Sequence, residues 1–189
     1  MAARRVEIMK VAFIGSHGVG KTTLCYDLAS ALKRRGVNVD IVKEVARLSP
    51  LPINRQTSLE AQTWILTTQV AEEIRSASGA PVVVCDRSAL DNYAYMVLAC
   101  GRQRPVERFV DWWMRTYDVL FKVPLSGDAP ADGFRDTDEF FIRSIDQLVD
   151  TLLAEKSIDY VPLPPGERDS WIDLVRDRVL ADPSFARLF

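Results

Sequence analysis

The segment Gly15-Ser16-His17-Gly18-Val19-Gly20-Lys21-Thr22 constrains this chain more than any other. Its spacing is G-x-x-x-x-G-K-[ST]. It follows a short apolar run, residues 11–15, and opens a stretch, residues 21–35, in which Leu24, Leu28 and Leu32 recur at i, i+4 and i+8. A buried strand, a glycine-rich turn and an amphipathic helix are therefore expected in that order. The glycines let the backbone curl so that successive N–H groups point inward at anionic oxygens, and the helix start adds its positive end. Gly15, Ser16, His17, Gly18, Val19, Gly20, Lys21, Thr22 and Thr23 are accordingly the candidate cofactor-binding residues, with ATP as the cofactor. In that role Lys21 reaches the β- and γ-phosphates, the Thr22 hydroxyl ligates Mg²⁺ and Thr23 approaches the α-phosphate. His17 is the only histidine. It occupies a variable position of the loop and is expected to offer its backbone N–H rather than a catalytic imidazole. The competing reading is a plain glycine-rich turn with Lys21 in solvent.

Beyond the loop, segments of two periods alternate. Residues 37–42, 81–85, 119–123 and 160–163 read as strands. Helices are expected over residues 89–100, over 105–117 with Val106, Phe109, Val110, Trp113 and Tyr117 on one face, and over 171–180. Another, capped by residues 136–139, shows Phe141, Ile145, Leu148 and Leu152 on one face. The capping box Thr57-Ser58-Leu59-Glu60 announces a long helix expected to bury Leu59, Thr63, Leu66, Val70 and Ile74. Strands alternating with helices imply an α/β fold in three layers, a five-stranded parallel sheet with helices on both faces. With 189 residues and no linker or repeat, a single domain over 1–189 is expected. Residues 124–134 hold two prolines and two glycines without periodicity and read as a surface loop.

Composition narrows the classes. The formal net charge is −2, from 24 basic and 26 acidic residues, so there is no electrostatic footprint for duplex nucleic acid. Apolar runs are too short to span a bilayer, and Glu7 and Lys10 interrupt any signal core. No membrane partner and a cytoplasmic location are expected. Cys25, Cys85 and Cys100 lack metal-ligand spacing and are read as reduced, mostly buried thiols. A homodimer stays open.

A second acidic position follows from the strand Val82-Val83-Val84-Cys85-Asp86. An apolar strand ending in a carboxylate places Asp86 beside the loop, as a metal ligand with Thr22 or as a cap of the next helix. Arg87 stands where many ATP-driven motors carry glutamate, and the guanine-recognition motifs of regulatory GTPases are missing.

Asp86-Arg87-Ser88, with Ala94-Tyr95 on the following helix, resembles the Asp/Glu-Arg segment of thymidylate kinases and deoxynucleoside kinases. Glu44-Val45-Ala46-Arg47 is similar to the Glu-x-Ala-Arg motif of the P-loop small-molecule kinases that include bacterial nicotinamide riboside kinases, within the AAA-type ATP-binding family. The segment from Asp132 to Asp138, with Arg135, is similar to the arginine-bearing lid of that family. The resemblance covers roughly residues 8–165. It implies a P-loop NTPase fold of the nucleoside/nucleotide kinase type with strand order 2-3-1-4-5. It implies Mg-ATP-dependent transfer of the γ-phosphoryl group to a nucleoside-like or nucleotide-like small molecule, bound between the second and third strands. In that picture Lys21, Glu44, Arg87 and Arg135 are catalytic: Glu44 orients the acceptor hydroxyl and accepts its proton, and the arginines neutralise phosphoryl charge. Arg135 and Arg143 belong to a mobile lid over about residues 124–143. Glu44, Arg47, Gln62, Arg87 and Tyr93 are the substrate-binding candidates, with Trp64 and Arg55 nearby. Adenine is expected at the turn of residues 163–166. Two other readings stay open: a nucleotide-binding switch or sensor without a small-molecule acceptor, and a kinase acting on a base or end within nucleic acid.

Overall fold

The computed structural model describes residues 7–53, 56–125 and 139–188. Strands β1 (Met9–Ile14), β2 (Val39–Val42), β3 (Val82–Asp86), β4 (Val119–Lys122) and β5 (Val161–Pro162) form a parallel sheet in the order β2-β3-β1-β4-β5. This is the order the family resemblance implies. Helices α1 (Lys21–Lys33), α2 (Leu59–Gly79), α3 (Ala89–Cys100), α4 (Arg104–Met114), α5 (Glu139–Glu155), α6 (Arg168–Leu180) and α7 (Pro183–Ala186) cover it.

Two-residue periodicity divides the core between the two faces. Met9, Val11, Phe13, Val82, Val84, Val119 and Phe121 pack on Leu24, Leu28 and Leu32 of α1 and on Trp171, Val175 and Val179 of α6. Ala12, Ile14, Val83, Cys85 and Leu120 face the other way, onto α2, α3, α4 and α5. Every residue of β1 and β3 is buried, so both central strands read as unbroken apolar runs, apart from Lys10 and Asp86. Cys25 and Cys85 are buried and Cys100 is half-buried, all as free thiols. Burial pushes the Cys25 and Cys85 thiols well up, away from the reactive thiolate.

Several expected boundaries move. The N-cap of α2 is Ser58, whose Oγ accepts from Ala61 N at 3.2 Å, rather than Thr57. Its buried face is Ala61, Gln62, Ile65, Leu66, Gln69, Val70, Glu73 and Ser76, while Leu59 and Ile74 are exposed. The true stripe carries Gln62, Gln69 and Glu73, polar groups that a hydropathy pattern assigns to solvent. Helix α4 stops at Met114, releasing Tyr117 to the β4 entry. A 3₁₀ turn over Val45–Leu48 and helix α7 are further elements that periodicity misses, each four residues long.

The sheet order reverses direction at β1: the chain leaves it for β2 on one side, and β4 pairs on the other. In open parallel sheets ligands gather at the C-terminal edge beside such a point. That edge here carries Gly15, Glu44 and Asp86-Arg87.

Candidate active site

The residue after β1 is Gly15, at φ 132°. A Cβ built there would lie 2.8 Å from the Val123 carbonyl oxygen, so both the conformation and the space demand glycine. Gly18 and Gly20 also have positive φ, 79° and 100°. Between them Val19 packs into the core beneath the loop. Asp91 Oδ1 accepts the Gly15 N–H at 2.8 Å, while its Oδ2 takes Ser88 N–H and Oγ–H at 2.9 and 2.7 Å. One carboxylate thus closes the capping box of α3 and anchors the start of the loop. Gly15→Ala is expected to lower stability by about 2–3 kcal/mol through strain and overlap. Thermal unfolding, with a fall of roughly 5–10 °C, checks it.

Lys21 begins α1, and its Nζ donates to the Ser16 carbonyl across the loop. Its ammonium is buried. Burial pushes its pKa down from 10.5 to about 8, and the neighbouring Arg87 cation adds to the fall, while Asp86, Asp91 and Glu44 oppose it. Lys21 therefore shares one electrostatic environment with the ends of β2 and β3. Thr22 Oγ1 donates to Asp86 Oδ2 at 2.5 Å. Thr23 is exposed on the same turn of α1.

Among the described residues no group of three or more His, Cys, Asp or Glu could hold a metal ion alone. Thr22 and Asp86 nevertheless fit Mg²⁺. That cation keeps several waters and is held through one or two protein oxygens together with substrate phosphates.

Arg87 follows β3 at φ 90°, uncommon for a non-glycine residue. Gln69 Nε2 holds its carbonyl at 3.2 Å, and its own N–H donates to the Phe13 carbonyl at 3.2 Å. This backbone turns the guanidinium across the sheet edge to Glu44, where Nε and Nη2 meet Oε1 at 3.0 and 2.7 Å. Arg47 Nε donates to Glu44 Oε2 at 2.9 Å. Both oxygens of Glu44 therefore face guanidinium groups. Burial opposes the charge on Arg87, but Tyr95, Glu44, Asp91 and Asp86 outweigh it and hold its pKa well above the ordinary value.

The structure thus brings Lys21, Thr22, Asp86, Glu44, Arg87 and Arg47 to one edge. Gln62 lies buried on α2, its Nε2 2.8 Å from Thr57 Oγ1, with its Oε1 buried and unpartnered. Trp64 is half-buried on the same helix. Tyr93 is not brought to the edge. It is fully buried among core residues, with Gln103, Glu107 and Lys156 as its polar neighbours. The tyrosine facing Arg87 is Tyr95, two residues on: the Arg87 guanidinium sits 4.9 Å from its ring centre. Arg143 lies on the solvent face of α5, its side chain 73% exposed and 3.7 Å from Glu139. Arg55 and Arg135 lie outside the described residues, as does most of the expected lid. Asp91 and Tyr95 are the contributors missing from the sequence-derived site. The spacing Ser88-x-x-Asp91 carries a signal for the first; for the second the signal is Ala94-Tyr95 in the family resemblance, which gives Tyr95 no role at the site.

The same architecture recurs in solved structures. A NadR protein in complex with NR aligns at TM-score 0.71 and 21% identity over 90% of this chain; the match covers 51% of that protein, so the chain spans about half its length. Thymidylate kinase from Ehrlichia chaffeensis aligns at TM-score 0.64 and 19% identity, covering 91% of this chain and 97% of that one. Deoxyadenosine kinase from M. mycoides with bound dATP aligns at TM-score 0.65 and 15% identity, over 92% of this chain and 100% of that one. A search of curated proteins finds no match. The family model of an AAA domain matches residues 10–170. The chain belongs to that AAA domain family and is built on the fold of the P-loop nucleoside and nucleotide kinases.

Proposed function

We propose that the protein is an Mg-ATP-dependent kinase that transfers the γ-phosphoryl group to a nucleoside-like or nucleotide-like small molecule. The observation that carries this reading is the Glu44–Arg87 pair, 2.7 Å apart, within electrostatic reach of Lys21 at the same sheet edge. A plain nucleotide hydrolase needs a group that activates water beside Asp86. This chain places a cation there, and a carboxylate across the edge from it.

Phosphoryl transfer asks chiefly for positioning and charge neutralisation. The loop N–H groups and Lys21 hold the polyphosphate, and Thr22 with Asp86 would hold the metal. Mg²⁺, when bound, neutralises charge on the phosphate oxygens. Glu44 orients the acceptor hydroxyl and accepts its proton. Arg87 fixes that carboxylate through two hydrogen bonds to Oε1 and lies close enough to meet transferring oxygens. Arg135, and the turn of residues 163–166 for adenine, belong to the same proposal by family geometry.

Acceptor-dependent ADP release across nucleosides, nicotinamide riboside and nucleoside monophosphates tests the reading, and silence with all of them overturns it. For the acceptor that responds, Glu44→Gln is expected to lower kcat about a hundredfold, the scale of one general base. KM for ATP should stay within about threefold, because the loop keeps its contacts.

A further inference from the structure

His17 and Tyr95 do something no nucleotide contact requires. His17 is 5% exposed, and its Nδ1 lies 3.0 Å from the Tyr95 hydroxyl. Its ring is 6.1 Å from Phe141 of α5 and 6.5 Å from Tyr95 of α3, so loop, α3 and α5 meet at this one side chain. On its other side Tyr95 holds Arg87: Nη2 is 3.4 Å from the hydroxyl, and the guanidinium carbon lies over the ring. A chain of contacts therefore runs from the phosphate loop to the acceptor side: His17, Tyr95, Arg87, Glu44.

The guanidinium can only donate, so Arg87 takes a lone pair of the Tyr95 oxygen. The phenol proton or the remaining lone pair then serves His17 Nδ1, according to the histidine tautomer, so one hydroxyl bridges the loop and Arg87. At the loop end, Lys21 Nζ donates to the carbonyl of Ser16, the residue before His17. A polyphosphate at Lys21 would compete with that carbonyl for the ammonium's donors, which ties the 16–17 peptide to the occupancy of the loop. At the far end, Arg87 Nη1 is buried without a partner, so a small rotation of the guanidinium against the Tyr95 ring exposes that donor to a new acceptor atom.

We infer that Tyr95, propped by His17, is a positioning residue that couples occupancy of the phosphate loop to the placement of the Arg87–Glu44 pair. The inference rests on the kinase reading above, and it deepens that reading by making nucleotide binding set the acceptor side. Packing alone would leave Tyr95 indifferent to the nucleotide; coupling would not.

The test uses the full chain labelled with ¹⁵N, with Mg-ADP as the probe. The Arg87 Nε–H resonance is assigned by its loss in Arg87→Lys. Saturating Mg-ADP is expected to shift it in the wild type. The shift should fall at least threefold in Tyr95→Phe, which keeps the ring and removes the hydroxyl, and likewise in His17→Leu. His17→Asn, which restores a polar atom near the Nδ1 position, should recover most of it. The Kd of Mg-ADP for Tyr95→Phe should stay within about threefold of the wild type. An undiminished shift in Tyr95→Phe and His17→Leu overturns the coupling and leaves the kinase reading standing. Failure of the wild type to bind Mg-ADP overturns the kinase reading itself, and absent acceptor turnover with intact coupling overturns only its acceptor half. Backbone amide spectra that match the wild type confirm that each variant is folded.

Discussion

Lys21→Met is expected to cost about a thousandfold in transfer while making the protein harder to unfold. The loss follows from removing a fixed cation aimed at phosphate oxygens, where one such donor is worth roughly two to three orders of magnitude. The gain follows from burial. Native Lys21 releases its proton near pH 8, whereas the unfolded side chain keeps its proton to about 10.5. Between those values the unfolded state binds more protons, so stability climbs as pH rises through that window. At neutral pH both states are protonated, and the full penalty, about 3 kcal/mol, is in force. Methionine fills the same volume without charge. After subtracting roughly 1–2 kcal/mol for the donor lost by the Ser16 carbonyl, a net gain of about 1–2 kcal/mol is expected, or a few degrees in Tm. The variant should also lose the rise in stability between pH 8 and 10. Calorimetry supplies an independent reading: phosphate beside Lys21 restores its proton, so Mg-ADP binding at pH 8 should take up about half a proton in the wild type. Lys21→Met should take up none through this group.

Glu73→Leu has the largest expected effect on stability. Glu73 is buried on α2 and accepts from four side chains: Lys10 Nζ at 2.7 Å, Trp113 Nε1 at 2.8 Å, Tyr117 hydroxyl at 2.5 Å and Gln69 Nε2 at 3.0 Å. Lys10 Nζ is in turn enclosed by the Trp113 and Tyr117 rings, 4.4 and 4.5 Å from their centres. Removing the carboxylate strands a buried ammonium and three donors, at a cost of about 3–5 kcal/mol and a fall in Tm on the order of 10 °C. Lys10→Met combined with Glu73→Leu should recover much of that, since an apolar pair of similar volume often replaces a buried ion pair without loss. Denaturant titration of Glu73→Leu, Lys10→Met and the double variant measures the coupling. A single mutant with unchanged midpoint would show that the network is not what holds α2. The effect reaches the active edge as well. The Gln69 amide that donates to Glu73 also donates to the Arg87 carbonyl, so the single mutant should weaken the placement of Arg87 more than it disturbs the loop.

Much of the fold was legible because central strands and the α1 stripe are simple patterns. Val82-Val83-Val84-Cys85 has no polar residue to confuse it, and Leu24, Leu28 and Leu32 lie where the period puts them. The buried face of α2 was not legible, because its contacts are made by Gln62, Gln69 and Glu73, polar residues whose partners come from distant segments. Such groups look solvent-facing until Lys10, Trp113 and Tyr117 are placed around them. The candidate site divides the same way. Gly15, Lys21, Thr22 and Asp86 follow from local spacing, and Arg87 from the family resemblance of Asp86-Arg87-Ser88. Tyr95 was part of that resemblance, but its role was not legible: Tyr93 and Tyr95 differ by about 200° around one helix, and the packing of α3 against α5 puts Tyr95 rather than Tyr93 at the loop.

The backbone of Arg87 has a consequence for anyone selecting sturdier versions of this protein. A side chain held at φ 90° costs the native state about 1–3 kcal/mol, which glycine would return. Removing the guanidinium, however, would leave the largely buried Glu44 carboxylate without its doubly hydrogen-bonded partner, at about 3–5 kcal/mol. Heat-challenge libraries should therefore retain Arg87, because the ion pair it makes outweighs the backbone it distorts.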